Sequence, residues 1–146
     1  MNTEPSIALG PLKIWVHGRQ FPGDCDYWDG NWLAATALCD GAGSRVEVSG
    51  YFLHLGEIKK WKNSLEEFSH SLTGGVELPT IEPTLKVKIE ATGSRGHLKC
   101  LVEITGDHMN ELHRFSLDID QSYLPGLLAQ LATMMREYPI KNEKTG

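Results

Sequence analysis

The spacing of apolar residues changes three times along the chain, and each change marks an element boundary. From Leu12 to Arg19, Leu12, Ile14 and Val16 alternate with Lys13, Trp15 and His17. That period of two is the signature of a half-buried strand. Trp32–Cys39 reads as a second strand, and Arg45–Leu53, alternating through Val46, Val48 and Tyr51, as a third. Between them the glycine-rich Asp40–Ser44 (DGAGS) is a hairpin-type turn. The spacing then switches: Leu55, Ile58, Trp61, Leu65, Phe68 and Leu72 recur at intervals of three and four, which aligns them on one stripe of an amphipathic helix. Glu57 lies early, where a carboxylate complements the helix dipole, and Thr73-Gly74-Gly75 ends the helix with residues free to take positive φ. Alternation returns in Val76–Ile81, Leu85–Thr92, Leu98–Thr105 and Leu112–Ile119. Pro79, Pro83, Gly93-Ser94-Arg95-Gly96 and Gly106-Asp107 punctuate these runs. A second helix is expected with Ser122 as N-cap and Pro125 at its third position, where a missing N–H costs no bond. Leu124, Leu127, Leu128, Leu131, Met135 and Tyr138 form its buried face, and Pro139 stops it.

The predicted order is β-β-β-α-β-β-β-β-α. Connections between strands are too short for crossovers, so the sheet is expected to be mostly antiparallel. Two helices with one apolar stripe each would pack on one face of it, giving an α+β fold. The 146 residues read as a single domain, with residues 1–11 and 140–146 as loose termini.

Composition narrows the picture further. Apolar residues make up 40% and charged residues 23%, the balance of a globular domain with its own core. The net charge of −5 argues against direct nucleic-acid binding, which needs a basic face, and leaves room for a basic protein partner. There is no signal-type N-terminal run and no stretch of about 18 apolar residues, so a membrane span is not expected. Cys25, Cys39 and Cys100 are odd in number and widely spaced. They predict free thiols and a cytoplasmic setting. Cys39 and Cys100 are expected to be buried. Cys25, between Asp24 and Asp26, lacks the electropositive surroundings of a reactive thiolate.

The densest chemistry lies in the loop Phe21-Pro22-Gly23-Asp24-Cys25-Asp26-Tyr27-Trp28-Asp29-Gly30-Asn31-Trp32-Leu33. Asp24, Asp26 and Asp29 resemble a calcium loop only superficially. Counted from Asp24, position 5 is Trp28 and position 12 is Ala35, so the required oxygens are missing. A carboxylate pair for acid–base work is a second reading. A third is structural: Trp28 and Trp32 plug the edge of the core while Asp29 and Asn31 close the loop. The fourth is a partner-binding surface built on Asp24, Asp26, Tyr27, Trp28 and Asp29, since aromatics beside charge are common interface anchors. Elsewhere the candidates are weaker. His108, His113 and Asp107 lack metal-ligand spacing. His97 and His108 sit beside turns and read as solvated. Lys59, Lys60 and Lys62 read as the solvated face of the first helix, balanced by Glu66 and Glu67. No nucleotide-binding or hydrolase motif occurs, and neither a metal nor a cofactor is expected.

Phe21-Pro22, Asp26-Tyr27-Trp28-Asp29 and Asn31-Trp32-Leu33 resemble the loop after the first strand in the WapI family of bacterial immunity proteins. Glu82-Pro83-Thr84-Leu85 resembles a second family turn, E-P-N-L-like, with Thr84 where family members tend to have Asn. The order of elements is similar as well. The resemblance implies a cytoplasmic, non-catalytic protein that neutralises the C-terminal domain of a polymorphic, WapA-like toxin by binding it, with no catalytic residue. The exposed Glu66 and Glu67 compete with the loop as the contact surface. A small-ligand binder or enzyme using the loop, and a structural subunit with another partner, are the competing readings.

Overall fold

The computed structural model describes residues 4–93 and 96–143. Its elements run β1 (Ile7–Leu9), β2 (Leu12–Arg19), β3 (Trp32–Asp40), β4 (Arg45–His54), α1 (Leu55–Ser71), β5 (Gly75–Glu77), β6 (Leu85–Ala91), β7 (His97–Ile104), β8 (His113–Asp120) and α2 (Leu124–Glu137). The fold is α+β, with every strand pair antiparallel. The strands divide into two sheets, ordered β1-β2-β3-β4 and β5-β6-β7-β8. Each half of the chain is thus a four-stranded meander followed by one helix.

One strand more than predicted precedes α1. Residues 1–11 were expected to be loose, yet Ile7 and Leu9 are fully buried and pair with Ile14 and Leu12. Three residues are too short to show an alternation, which is why the pattern missed them. Gln130 of α2 holds this strand by accepting the Ala8 N–H at 3.0 Å. The other terminus is also held: Ile140 packs on the core and Lys141 bonds to the β2–β3 loop. Residues 1–3 and 144–146, and Ser94 and Arg95 of the predicted turn, lie outside the described residues.

The central strands β3 and β7 touch, so the sheets face one another, and the helices pack on each other and on the β1 and β5 edges. Apolar side chains from both sheets and both helices form one buried cluster. In α1 the predicted stripe is buried from Leu55 to Phe68, with Trp61 completely enclosed. Its C-terminus is closed by Leu72 rather than by glycine. Leu72 takes the left-handed conformation (φ 51°), and its N–H bonds to Phe68 O. Its half-buried side chain packs on the core, and that contact offsets the cost of the backbone. Ser122 is not the cap of α2. The Asp120 carboxylate accepts the Ser122 N–H at 2.8 Å and caps a short 3-10 turn, Gln121–Tyr123, that leads into the helix. On α2 Met134 is buried, while Met135 stays at the margin. Pro79, lacking an N–H, cuts the predicted run Val76–Ile81 to the three residues of β5.

Candidate functional site: the aromatic and acidic loop

The loop from residue 20 to residue 31 joins β2 to β3 and is organised by Asn31, which is wholly buried. Its side-chain amide donates to Tyr27 O (2.6 Å) and Lys141 O (3.0 Å), and its Oδ1 accepts from Lys141 N (2.9 Å) and Arg19 Nη1 (3.2 Å). One amide therefore imitates a backbone pair and straps the C-terminal segment onto the loop. Arg19 also donates to Gly30 O (2.9 Å), and Lys141 Nζ donates to Pro22 O (2.7 Å) and Asp24 O (2.8 Å). The chain turns so tightly that a Cβ on Gly30 would stand 2.6 Å from Asp24 O.

Two of the three loop carboxylates serve the turn. Asp26 accepts the Asp29 N–H at 2.9 Å, and Asp24 accepts the Asp26 N–H at 3.3 Å. These are Asx-type closures. The carboxylate of Asp29 is exposed and points to no partner among the described residues. The expectation that Asp29 closes the loop is therefore corrected for its side chain: Asp26 does that work. The second correction concerns Trp28. Trp32 plugs the core edge at 8% exposure, but Trp28 is 48% exposed.

His54 is the hub beneath this surface. It ends β4 and caps α1: Nδ1 accepts the Gly56 N–H at 3.0 Å, while Glu57 Oε1 accepts the His54 N–H at 3.4 Å. With Nδ1 accepting, the proton belongs on Nε2, which donates to the carbonyls of Tyr27 (3.2 Å) and Trp28 (3.1 Å). The imidazole stacks on Trp28 at 5.0 Å and 26° and meets Trp32 edge-on at 5.0 Å. Burial lowers its pKa below the ordinary value, more than the two carbonyls raise it, so the ring is held neutral. The Tyr27 ring lies 5.2 Å from the same imidazole, with its hydroxyl over Gly56. The sequence pattern did not single out His54. Its one signal was a residue directly before the helix with Glu three positions on, the spacing of a capping box with histidine in place of the usual Ser or Thr.

Glu57 joins the second motif to the first. Its other carboxylate oxygen accepts the Ile81 N–H at 2.9 Å, beside Glu82-Pro83. Burial raises the Glu57 pKa, and the nearby Glu82 charge adds to the rise. The two motif stretches, far apart in sequence, are thus brought together at the N-terminus of α1. Trp28, Glu57, Lys60 and Ile81 line a shallow concavity of about 510 Å³ between them. Ile81 is 65% exposed. His54 spends both ring nitrogens and Glu57 both carboxylate oxygens on backbone groups. The site offers a fixed apolar and acidic surface.

The weaker candidates do not come together. Lys59 pairs with Glu143, and Lys62 pairs with Glu66 at 3.4 Å. Asp107 accepts from Met109 N and Asn110 Nδ2, bonds that lower its pKa, while His113 pairs with Glu111. Cys25 is exposed. Cys39 and Cys100 are buried, and desolvation pushes their thiols up to about 11 and about 12. Among the described residues no group of three or more His, Cys, Asp or Glu stands together to hold a metal ion. No helix among them is long and apolar enough to cross a membrane.

Comparison with curated proteins and with solved structures finds no match. A family model does match: the immunity protein WapI-like family, over residues 6–139.

Proposed function

The chain belongs to the WapI-like family of immunity proteins, and we propose on that premise that it binds and neutralises the C-terminal toxin domain of a polymorphic, WapA-like toxin in the cytoplasm, without catalysis. The observation that carries this reading is the extent of the match. Residues 6–139 include every strand and both helices, so the likeness is to a whole fold and not to one loop.

We assign the contact surface to the loop of Asp24, Asp26, Tyr27, Trp28 and Asp29. Three features support it. The loop is held rigid by Asn31 and His54, so binding costs little ordering entropy. Trp28 is half exposed on a fixed stack, the form that interface anchors take. The Asp29 carboxylate, which has no partner among the described residues, and the overall charge of −5 favour encounter with a basic domain.

The test is co-expression with the toxin domain encoded beside the gene, read as relief of growth arrest and as co-purification. Wild type is expected to relieve arrest. Trp28→Ala combined with Asp29→Asn is expected to weaken binding roughly 10- to 100-fold. Persistent arrest with folded wild-type protein would sink the reading for that toxin. Unchanged affinity in the double variant would remove the loop as the contact surface.

A further inference from the structure

We propose that two copies of this chain pair through β8, edge to edge and antiparallel about a two-fold axis at Ser116, joining their second sheets into one. Such pairing requires an open sheet edge, and the four edges differ. β1 and β5 are three residues long and lie against the helices. β4 is long, but its pairing with β3 slips between Leu33 and Ala35, and its outward charges, Arg45 and Glu47, sit at one end. β8 pairs with β7 over eight residues without a slip, and among the described residues no strand lies on its other side. It carries neither proline nor bulge, two devices that close sheet edges against pairing.

The sequence of this edge is complementary to itself. About an axis at Ser116, Arg114 of one copy stands opposite Asp118 of the other, and Phe115 opposite Leu117. Arg114 and Asp118 are on the outward face, Phe115 and Leu117 on the face that packs at the margin of the core. Within one copy, Lys86 is opposite Glu103 and Glu103 opposite Arg114, while Asp118 is opposite Lys99 and Lys99 opposite Glu90. Across the joined sheet a row then reads Lys86, Glu103, Arg114 and, on the second copy, Asp118, Lys99, Glu90. The sign alternates at every step, and the axis repeats the row in reverse. Opposite charges placed directly across a strand pair attract, and like charges repel. The present pairs leave room for the new ones. Arg114 reaches Glu103 at 3.0 Å and Lys99 reaches Asp118 at 3.8 Å, yet the Asp118 side chain remains 92% exposed. A contact of one strand pair is small, so a weak, concentration-dependent dimer is expected.

Sedimentation of the full chain over a wide concentration range tests this, with far-UV circular dichroism to confirm folding. Wild type is expected to pass from monomer to dimer. Arg114→Asp places carboxylates at both positions and Asp118→Arg places guanidinium groups at both, so each variant alone is expected to stay monomeric. Mixed together they are expected to form a heterodimer, because every cross-axis pair is again of opposite sign. Ser116→Cys, made in a Cys25→Ser background, gives a probe that leaves the charges intact. Antiparallel partners have Cα atoms about 4.5–5.5 Å apart, within disulfide reach, so oxidation is expected to cross-link the two copies. A wild-type chain that is monomeric at millimolar concentration overturns the proposal. So does a dimer indifferent to both charge reversals, or the absence of the Ser116→Cys cross-link. Amide protection along β8 that arises only on adding the toxin domain would assign the edge to the toxin and overturn the self-pairing.

Discussion

Gly56 lies in the first turn of α1, and the Tyr27 hydroxyl occupies the space where its side chain would start. A Cβ there would stand 2.2 Å from Tyr27 Oη and 3.0 Å from His54 Nδ1. Helix propensity favours alanine over glycine by about 1 kcal/mol, but forcing an atom into a filled site costs about 1–3 kcal/mol. Gly56→Ala is therefore expected to destabilise the fold in urea titration. Adding Tyr27→Phe should recover part of the loss, since it removes the 2.2 Å contact and leaves His54 Nδ1 at 3.0 Å and the ring carbon Cζ at 3.2 Å. His54 sets a pH dependence at the same spot. Its folded pKa lies below 6.5, so on acidification the unfolded chain takes up a proton first. Its contribution to stability is complete above pH 6.5 and is lost as pH falls toward the lower folded value. Glu57 acts with the opposite sign. Its raised pKa lets the folded state protonate first, which offsets part of the loss at lower pH, on the approach to 4.5. His54→Asn, which retains a capping side chain, is expected to flatten the urea midpoint against pH just below 6.5. An unchanged slope would show that His54 is not its source.

At the scale of elements, the strap from residue 139 to residue 143 makes the loop one rigid unit with the C-terminus. Asn31→Ala would take the donor from the Lys141 carbonyl and the acceptor from the Lys141 N–H, leave the Tyr27 carbonyl with His54 Nε2 alone, and leave Arg19 with one acceptor fewer. The expected cost is about 2–4 kcal/mol, with faster proteolysis both in the loop and at the C-terminal segment. Asn31→Asp keeps an acceptor for Arg19 and Lys141 N but turns a buried carboxylate oxygen toward the Tyr27 and Lys141 carbonyls, so it is expected to destabilise as well. A loss in stability without new cleavage at both places would mean that the strap does not couple them. The elements differed in how readable they were. The α1 stripe was plain because Leu55 to Phe68 repeat one helical spacing over several turns. β1 was invisible because Ile7-Ala8-Leu9 is shorter than any recognisable period. That Asn31 closes the loop was legible, but its distant partners Arg19 and Lys141 were hidden, because they reach it only after both ends of the chain have folded.

Over the whole molecule, two four-stranded meanders, each closed by a helix, share one core. The order of the elements after β1 and the faces they bury follow from local spacing. That is because a period of two or of 3.6 dictates which side chains share a face before any tertiary contact exists. The acidic and aromatic residues of the loop were likewise evident along the chain, as was their likeness to a family. What the spacing did not contain was the division into two sheets, the exposure of Trp28 against the burial of Trp32, and the assignment of closure to Asp26 instead of Asp29. It also did not show that Glu57 brings Ile81 and the second motif beside the first, or that β8 is left as an edge strand paired with β7 without a slip. Each of these depends on which distant segments compete for the same buried space and the same hydrogen-bonding groups, and that competition is decided only when the chain packs.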